Sequence, residues 1–144
     1  MVDLDDKKLI AKIDKKNVYG SIQMLSNQCQ YIWELSKTVG FSDTHKSAKN
    51  IILCGMGGSR YGAYIVQNLY RNEIRVPFLE YGDYHLPRFV DKKSLFILSS
   101  YSGNTEEPLQ SAQEAIAKNI PIIGLTGGGR AAEISKINNF PSLL

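Results

Sequence analysis

Two short segments carry the residue types best suited to chemistry: GMGGS at Gly55–Ser59 and SYSGNT at Ser100–Thr105. Each directly follows a short apolar run and directly precedes a helix-like stretch. Gly57 and Gly58 lack a Cβ, so the backbone there can approach a ligand closely. Ser59 then falls at the first turn of the next helix, its hydroxyl and N–H on the same side. In the second segment Ser100, Ser102 and Thr105 alternate with Tyr101 and the Gly103-Asn104 pair. A tight turn folds alternate residues inward, which lets three hydroxyls converge on one oxyanion. Backbone N–H groups, hydroxyls and helix N-termini together suit an anion with several oxygens, above all a phosphate ester. Pro108 fits a first helical turn, and the helix dipole favours Glu106 and Glu107 there. Either segment alone is also an ordinary helix cap or glycine-rich turn. Two of them on consecutive odd-numbered strands of one sheet point to a ligand.

Other chemistries fit less well. A dinucleotide fingerprint needs G-x-G-x-x-G; Gly55 and Gly57 begin it, but Arg60 takes the third position. Glu80 imitates the ribose-binding acid of such sites. No GK[ST] follows either turn, and no G-x-S-x-G elbow is present. His45 and His85 have no partner at metal or triad spacing and read as loop histidines. Arg60 and Arg130 each follow a glycine turn, as a phosphate-neutralising charge or as an exposed helix-start arginine. Cys54, ending an apolar run, reads as core. Tyr61, Tyr64 and Tyr70 lie at near-helical spacing and read as packing residues.

The elements that must position these segments alternate. Ile51–Leu53 reads as a buried strand, followed by GMGGS and a helix from Ser59 to about Tyr70 with Ile65, Val66 and Leu69 on one face. A second strand is expected over Val76–Tyr81, a third over Ser94–Ser99, a helix over Thr105–Lys118, and a fourth strand over Ile122–Leu125. TGGGR at Thr126–Arg130 opens a short helix to Ile137. Such alternation marks βαβ crossovers and a parallel sheet. In the order 2-1-3-4-5, the first and third strands flank the switch point where ligands bind. Upstream, Gly20–Phe41 shows helical spacing at Ile22, Leu25, Cys29, Ile32, Trp33 and Val39, with Gly40 as a C-cap. Asp43–Asn50 reads as a loop. The chain thus divides into a helical lead-in over 1–49 and an α/β body over 50–144. Ser142–Leu144 looks like the start of a fifth strand, which suggests a piece of a longer protein.

The 144 residues are 43% hydrophobic with a formal charge of +3, ordinary for a globular domain. The densest charge run, Met1–Lys16, mixes five Lys with four Asp and reads as solvated surface, not a nucleic-acid arm. No stretch has the apolar length of a membrane span or a signal peptide. Cys29 and Cys54 match no disulfide framework and no metal spacing, so a reducing cytoplasm is expected.

GMGGS, SYSGNTEE and the later TGGG turn, in this order and spacing, resemble the sugar isomerase (SIS) domain family. More narrowly they resemble the first SIS half of bifunctional phosphoglucose/phosphomannose isomerases, over about 50–144, with a weaker likeness in the lead-in. The resemblance implies a flavodoxin-like five-stranded parallel sheet flanked by helices, and phosphate binding by Gly58, Ser59, Ser100, Ser102 and Thr105. It also implies interconversion of glucose 6-phosphate or mannose 6-phosphate with fructose 6-phosphate through a cis-enediol, no metal or organic cofactor, and a homodimer. The alternative is a non-catalytic SIS module that binds a phosphosugar for regulation. The family's catalytic glutamate, histidine, lysine and arginine lie in the second SIS half or just before it, beyond residue 144. No catalytic residue is therefore assigned within this chain. Arg60 also departs from the family pattern, which usually has a small or acidic residue there.

Overall fold

The computed structural model describes residue 3 and residues 5–144, and the chain divides into two compact units, Met1–Thr38 and Val39–Leu144. The first unit holds three helices, α1 (Lys7–Ile13), α2 (Val18–Gln23) and α3 (Leu25–Ser36). Asp6 caps α1 by accepting from the N–H groups of Lys8 and Leu9 at 2.9 and 3.1 Å. The Asp14 carboxylate does the same for α2, accepting from Val18 and Tyr19 at 2.8 and 2.7 Å. The single helix expected over Gly20–Phe41 is therefore two. Met24 turns the chain between them, and α3 ends before Gly40. Its last carbonyls are taken by side chains: Ser36 donates to Trp33 O and Thr38 to Leu35 O, both at 2.7 Å, a local competition that weakens helix continuation. Ile22, Leu25, Ile32 and Trp33, which carry the helical spacing, are exposed.

In the second unit five parallel strands form one sheet: β1 (Asn50–Cys54), β2 (Phe78–Tyr81), β3 (Ser94–Ser100), β4 (Ile122–Thr126) and β5 (Ser142–Leu143), in the order β2-β1-β3-β4-β5. This is the α/β, flavodoxin-like order expected from the alternation. β2 is shorter than expected because Pro77, which has no N–H to give a ladder, stays outside it and contributes only its carbonyl, to Ile51 N at 2.8 Å.

Burial follows position in the sheet. Six of the seven residues of β3 are buried, as both faces of an interior parallel strand require. Ile52, Cys54, Phe96, Leu98 and Ile122 share one core with Leu109, Ala112 and Ala115 of α6 (Glu106–Ala117) and Ala131 of α7 (Gly129–Asn138). The small alanines let these helices sit close to the sheet. Helix α5 (Tyr61–Leu69) lies against the edge strand β2, and Ala63 is its buried residue. The expected apolar face of Ile65, Val66 and Leu69 is exposed, and so are Tyr61, Tyr64 and Tyr70. An edge strand offers too little breadth to cover them.

The segment read as a loop, Asp43–Asn50, contains a short helix, α4 (Asp43–Lys46). Its capping box is closed by His45 rather than by the usual acid or amide, which hides it from sequence inspection. His45 Nδ1 accepts from Ser42 N at 3.2 Å, so Nε2 is the nitrogen that donates to Ile122 O at 3.2 Å. His45 thereby ties α4 to the start of β4.

Phe96 is fully buried at the centre of this core. Phe96→Ala should cost about 3–5 kcal/mol of unfolding free energy in urea titrations, whereas Ile65→Ala should stay within about 0.5 kcal/mol.

Candidate functional site

β1 and β3 are direct neighbours in register, Leu53 opposite Ile97 and Cys54 opposite Leu98. The turns that follow them therefore open side by side at the carboxyl edge of the sheet. They also touch. Ser99 Oγ donates to Ser59 O at 2.9 Å, and Tyr101 N donates to Ser59 Oγ at 3.4 Å. Ser59 lies in a 3₁₀ turn, Gly57–Arg60, that precedes α5, not in the first α-helical turn as expected. Gly58, in the same turn, is exposed.

In the second turn Ser100 is buried and donates to Thr105 Oγ1 at 3.0 Å, and Thr105 is the N-cap of α6. Ser102 is exposed, and its hydroxyl accepts from Asn104 N at 3.3 Å. The structure thus joins Ser59 to the second turn and Ser100 to Thr105, and leaves Gly58 and Ser102 open to solvent on the same edge. Glu106 and Glu107 fill the first turn of α6, where acidic side chains favour the helix dipole.

Sequence inspection missed how the third glycine turn is used. It braces the second. Gly127 N donates to Tyr101 O and Ala131 N to Gly103 O, both at 2.9 Å, and Arg130 N donates to Asn104 Oδ1 at 3.2 Å. Asn104 Nδ2 in turn donates to Ser102 O at 3.1 Å. Arg130 and Ala131, in the first turn of α7, therefore spend their N–H groups on the SYSGNT turn. Gly103 has φ +68°, and a Cβ there would overlap Gly128 O. Only glycine satisfies both conditions. The Gly-Asn dipeptide within SYSGNT was the available signal for this brace.

Several other polar groups of this unit are paired. Arg60 is bound to Glu80, whose other oxygen accepts from Tyr64 OH at 2.9 Å. The hydrogen bond it donates to Glu80 makes the Arg60 guanidinium hold its proton more firmly than usual, and the same carboxylate raises the Tyr64 phenol. Tyr84 donates to Glu106 at 3.4 Å, and its phenol is raised first by the negative charge of Glu107. His85, which showed no partner in the sequence, meets Glu114 of α6 at 2.6 Å, and Leu86 N donates to the second Glu114 oxygen at 3.1 Å. The bond from His85, then the Leu86 N–H, holds the Glu114 carboxyl below its usual range. Cys54 is buried, and burial pushes its thiol up to about 11, which makes it unreactive core.

No family model matches the chain. Over 123 residues it is 34% identical to the bifunctional phosphoglucose/phosphomannose isomerase of Caldicellulosiruptor bescii, covering 85% of this chain and 36% of that protein. The chain spans about a third of the length of the curated relatives it matches. Among solved structures, the Vibrio vulnificus NanR protein complexed with ManNAc-6P superposes with a TM-score of 0.59 at 22% identity, over 85% of this chain and 48% of that one. A Bacillus subtilis protein assigned as a phosphosugar isomerase gives a TM-score of 0.54 at 26% identity, over 60% of this chain and 29% of that one.

Two outcomes test the site's construction. Gly103→Ala should cost at least about 2 kcal/mol and should speed hydrogen exchange at the Gly127 and Ala131 amides, two of the donors that join the turns. Because the folded carboxyl of Glu114 titrates lower than its unfolded form, its contribution is complete above the usual carboxylate range and is lost as pH falls below about 5. Glu114→Gln should therefore flatten the acid limb of a urea-midpoint profile measured from neutral pH downward.

Proposed function

We propose, for a chain that has the SIS fold and is related by sequence to bifunctional phosphoglucose/phosphomannose isomerases, that the crevice between β1 and β3 holds the phosphate of a six-carbon phosphosugar. The contact between the two turns carries this reading: the Tyr101 N–H meets Ser59 Oγ at 3.4 Å, so residues more than forty positions apart face one small volume. Gly58 and Ser59 supply one wall; Ser100, Ser102 and Thr105 supply the other. Ser102 and the backbone of Gly58 are open to an incoming anion. Ser100 and Thr105 hold the wall's shape through their mutual bond and can turn their remaining lone pairs and protons inward.

The reaction we assign is interconversion of an aldose 6-phosphate, glucose or mannose, with fructose 6-phosphate. It moves one proton between C2 and C1 through a cis-enediol, and its base needs a pKa tuned toward neutrality. Glu80 is bound to Arg60 and Glu106 to Tyr84, while Glu106 and Glu107 fill the first turn of α6, where the helix dipole favours their charged form over that of a neutral-pH base. We therefore assign this chain the phosphate-binding share of the site and place the base in a part of the protein outside residues 1–144. In this reading the chain is the first of two SIS halves, and the working protein is a cytoplasmic homodimer.

Calorimetry with fructose 6-phosphate tests the cradle. Removing one hydroxyl bonded to a charged group is worth roughly 1.5–3 kcal/mol, so Ser102→Ala should weaken binding by about 10- to 150-fold. A neutral sugar should show no such loss. Unchanged phosphosugar affinity in the variant would remove Ser102 from the site, and isomerase turnover by the 144-residue chain alone would overturn the placement of the base.

A further inference from the structure

Arg60 is the one polar feature of the first turn that phosphate binding leaves unexplained. It immediately follows GMGGS and closes the 3₁₀ turn. Its Nε and Nη2 both bind Glu80 Oε2. Glu80 Oε1 accepts from Tyr64 OH at 2.9 Å, and Nη2 lies 3.4 Å from that same phenol oxygen. Three side chains from α5, β2 and the turn thus fix the guanidinium plane. Its remaining nitrogen, Nη1, is steered over the exit of β2. A Cβ on Gly82 would stand 2.9 Å from Arg60 Nη1, 3.0 Å from Met56 Sδ and 3.1 Å from Gly55 O. Gly55 and Met56 belong to the first turn, so Nη1 sits at that turn's margin, packed where any side chain at 82 would stand.

We propose that Arg60 is a specificity residue that donates from Nη1 to the hydroxyl-bearing part of the ligand, with Glu80 and Tyr64 aiming it and cancelling its charge. The proposal rests on the phosphosugar reading above. An unpaired guanidinium beside the crevice would compete with the two turns for the phosphate. Paired with Glu80, Arg60 offers two N–H donors without net positive charge, which suits a neutral hydroxyl better than a second anion. Solvent reaches 28% of the Arg60 side chain and 19% of that of Glu80, so the pair is partly shielded. Lysine could not replace it, since a single ammonium cannot bind Glu80 and present a second, fixed donor edge.

Calorimetry on the 144-residue chain, with glucose 6-phosphate and inorganic phosphate as separate titrants, tests this. Arg60→Gln should reduce the preference for glucose 6-phosphate over phosphate by about tenfold. Arg60→Lys, which keeps the charge, should lose preference to a similar extent. Glu80→Gln leaves the guanidinium charge uncompensated, so it should tighten inorganic phosphate by roughly three- to tenfold at low salt, an advantage that disappears at high salt. Equal weakening of both titrants in Arg60→Gln and Arg60→Lys, or no gain for phosphate in Glu80→Gln, would overturn the assignment. Ser102→Ala serves as the separate control. If the unaltered chain binds neither titrant, the phosphosugar reading itself falls; if Ser102→Ala weakens both titrants while the Arg60 variants keep the preference, only the Arg60 role falls.

Discussion

β1 and β3 are hydrogen-bonded neighbours although β2 lies between them in the chain. The turn after each strand must leave at the same edge, because parallel strands share a direction. At this point the crossovers diverge, one toward β2 and the other toward β4. A crevice follows from topology before any side chain is chosen. What the side chains add is its lining: the Ser99 hydroxyl on the Ser59 carbonyl and the Tyr101 N–H on the Ser59 hydroxyl hold the two walls at contact distance.

The second wall needs support that β3 alone does not provide. SYSGNT exposes carbonyls at Tyr101, Ser102 and Gly103 that would otherwise rely on water. The Gly127 N–H, the Asn104 side chain and the Ala131 N–H take them in that order. Backbone groups of one glycine turn thereby satisfy those of another, which is possible only where the two main chains nearly touch. Gly103 and Gly128 permit that approach. The third turn acts as a buttress, and the donors it spends on the second turn are no longer available to a ligand.

Two ion pairs tie the elements around the sheet together. Arg60 with Glu80, and His85 with Glu114, each join an element of the crevice rim to a neighbouring strand or helix. Ion pairs this exposed contribute little stability. Their consequence is electrostatic and geometric: each offsets one charge with its opposite, and each fixes side chains that would otherwise sample many rotamers.

Alternation of apolar runs with glycine turns determined the strands, their parallel direction and the two hydroxyl-bearing turns, because these are local properties written in period and turn chemistry. The chemical identity of Ser59, Ser100, Ser102 and Thr105 likewise needed no coordinates. Tertiary structure alone decided which turn meets which, since the bonds from Ser99 and Tyr101 to Ser59 span some forty residues. It decided that the third turn braces the second, that His85 finds Glu114, and that Arg60 turns to Glu80. It also placed α5 on an edge strand, where Ile65 and Leu69 have nothing to cover them within this unit, although their spacing predicts a buried face. Periodicity reports which residues share a side of a helix; what lies opposite that side depends on distant segments of chain and on the strand order that gathers them.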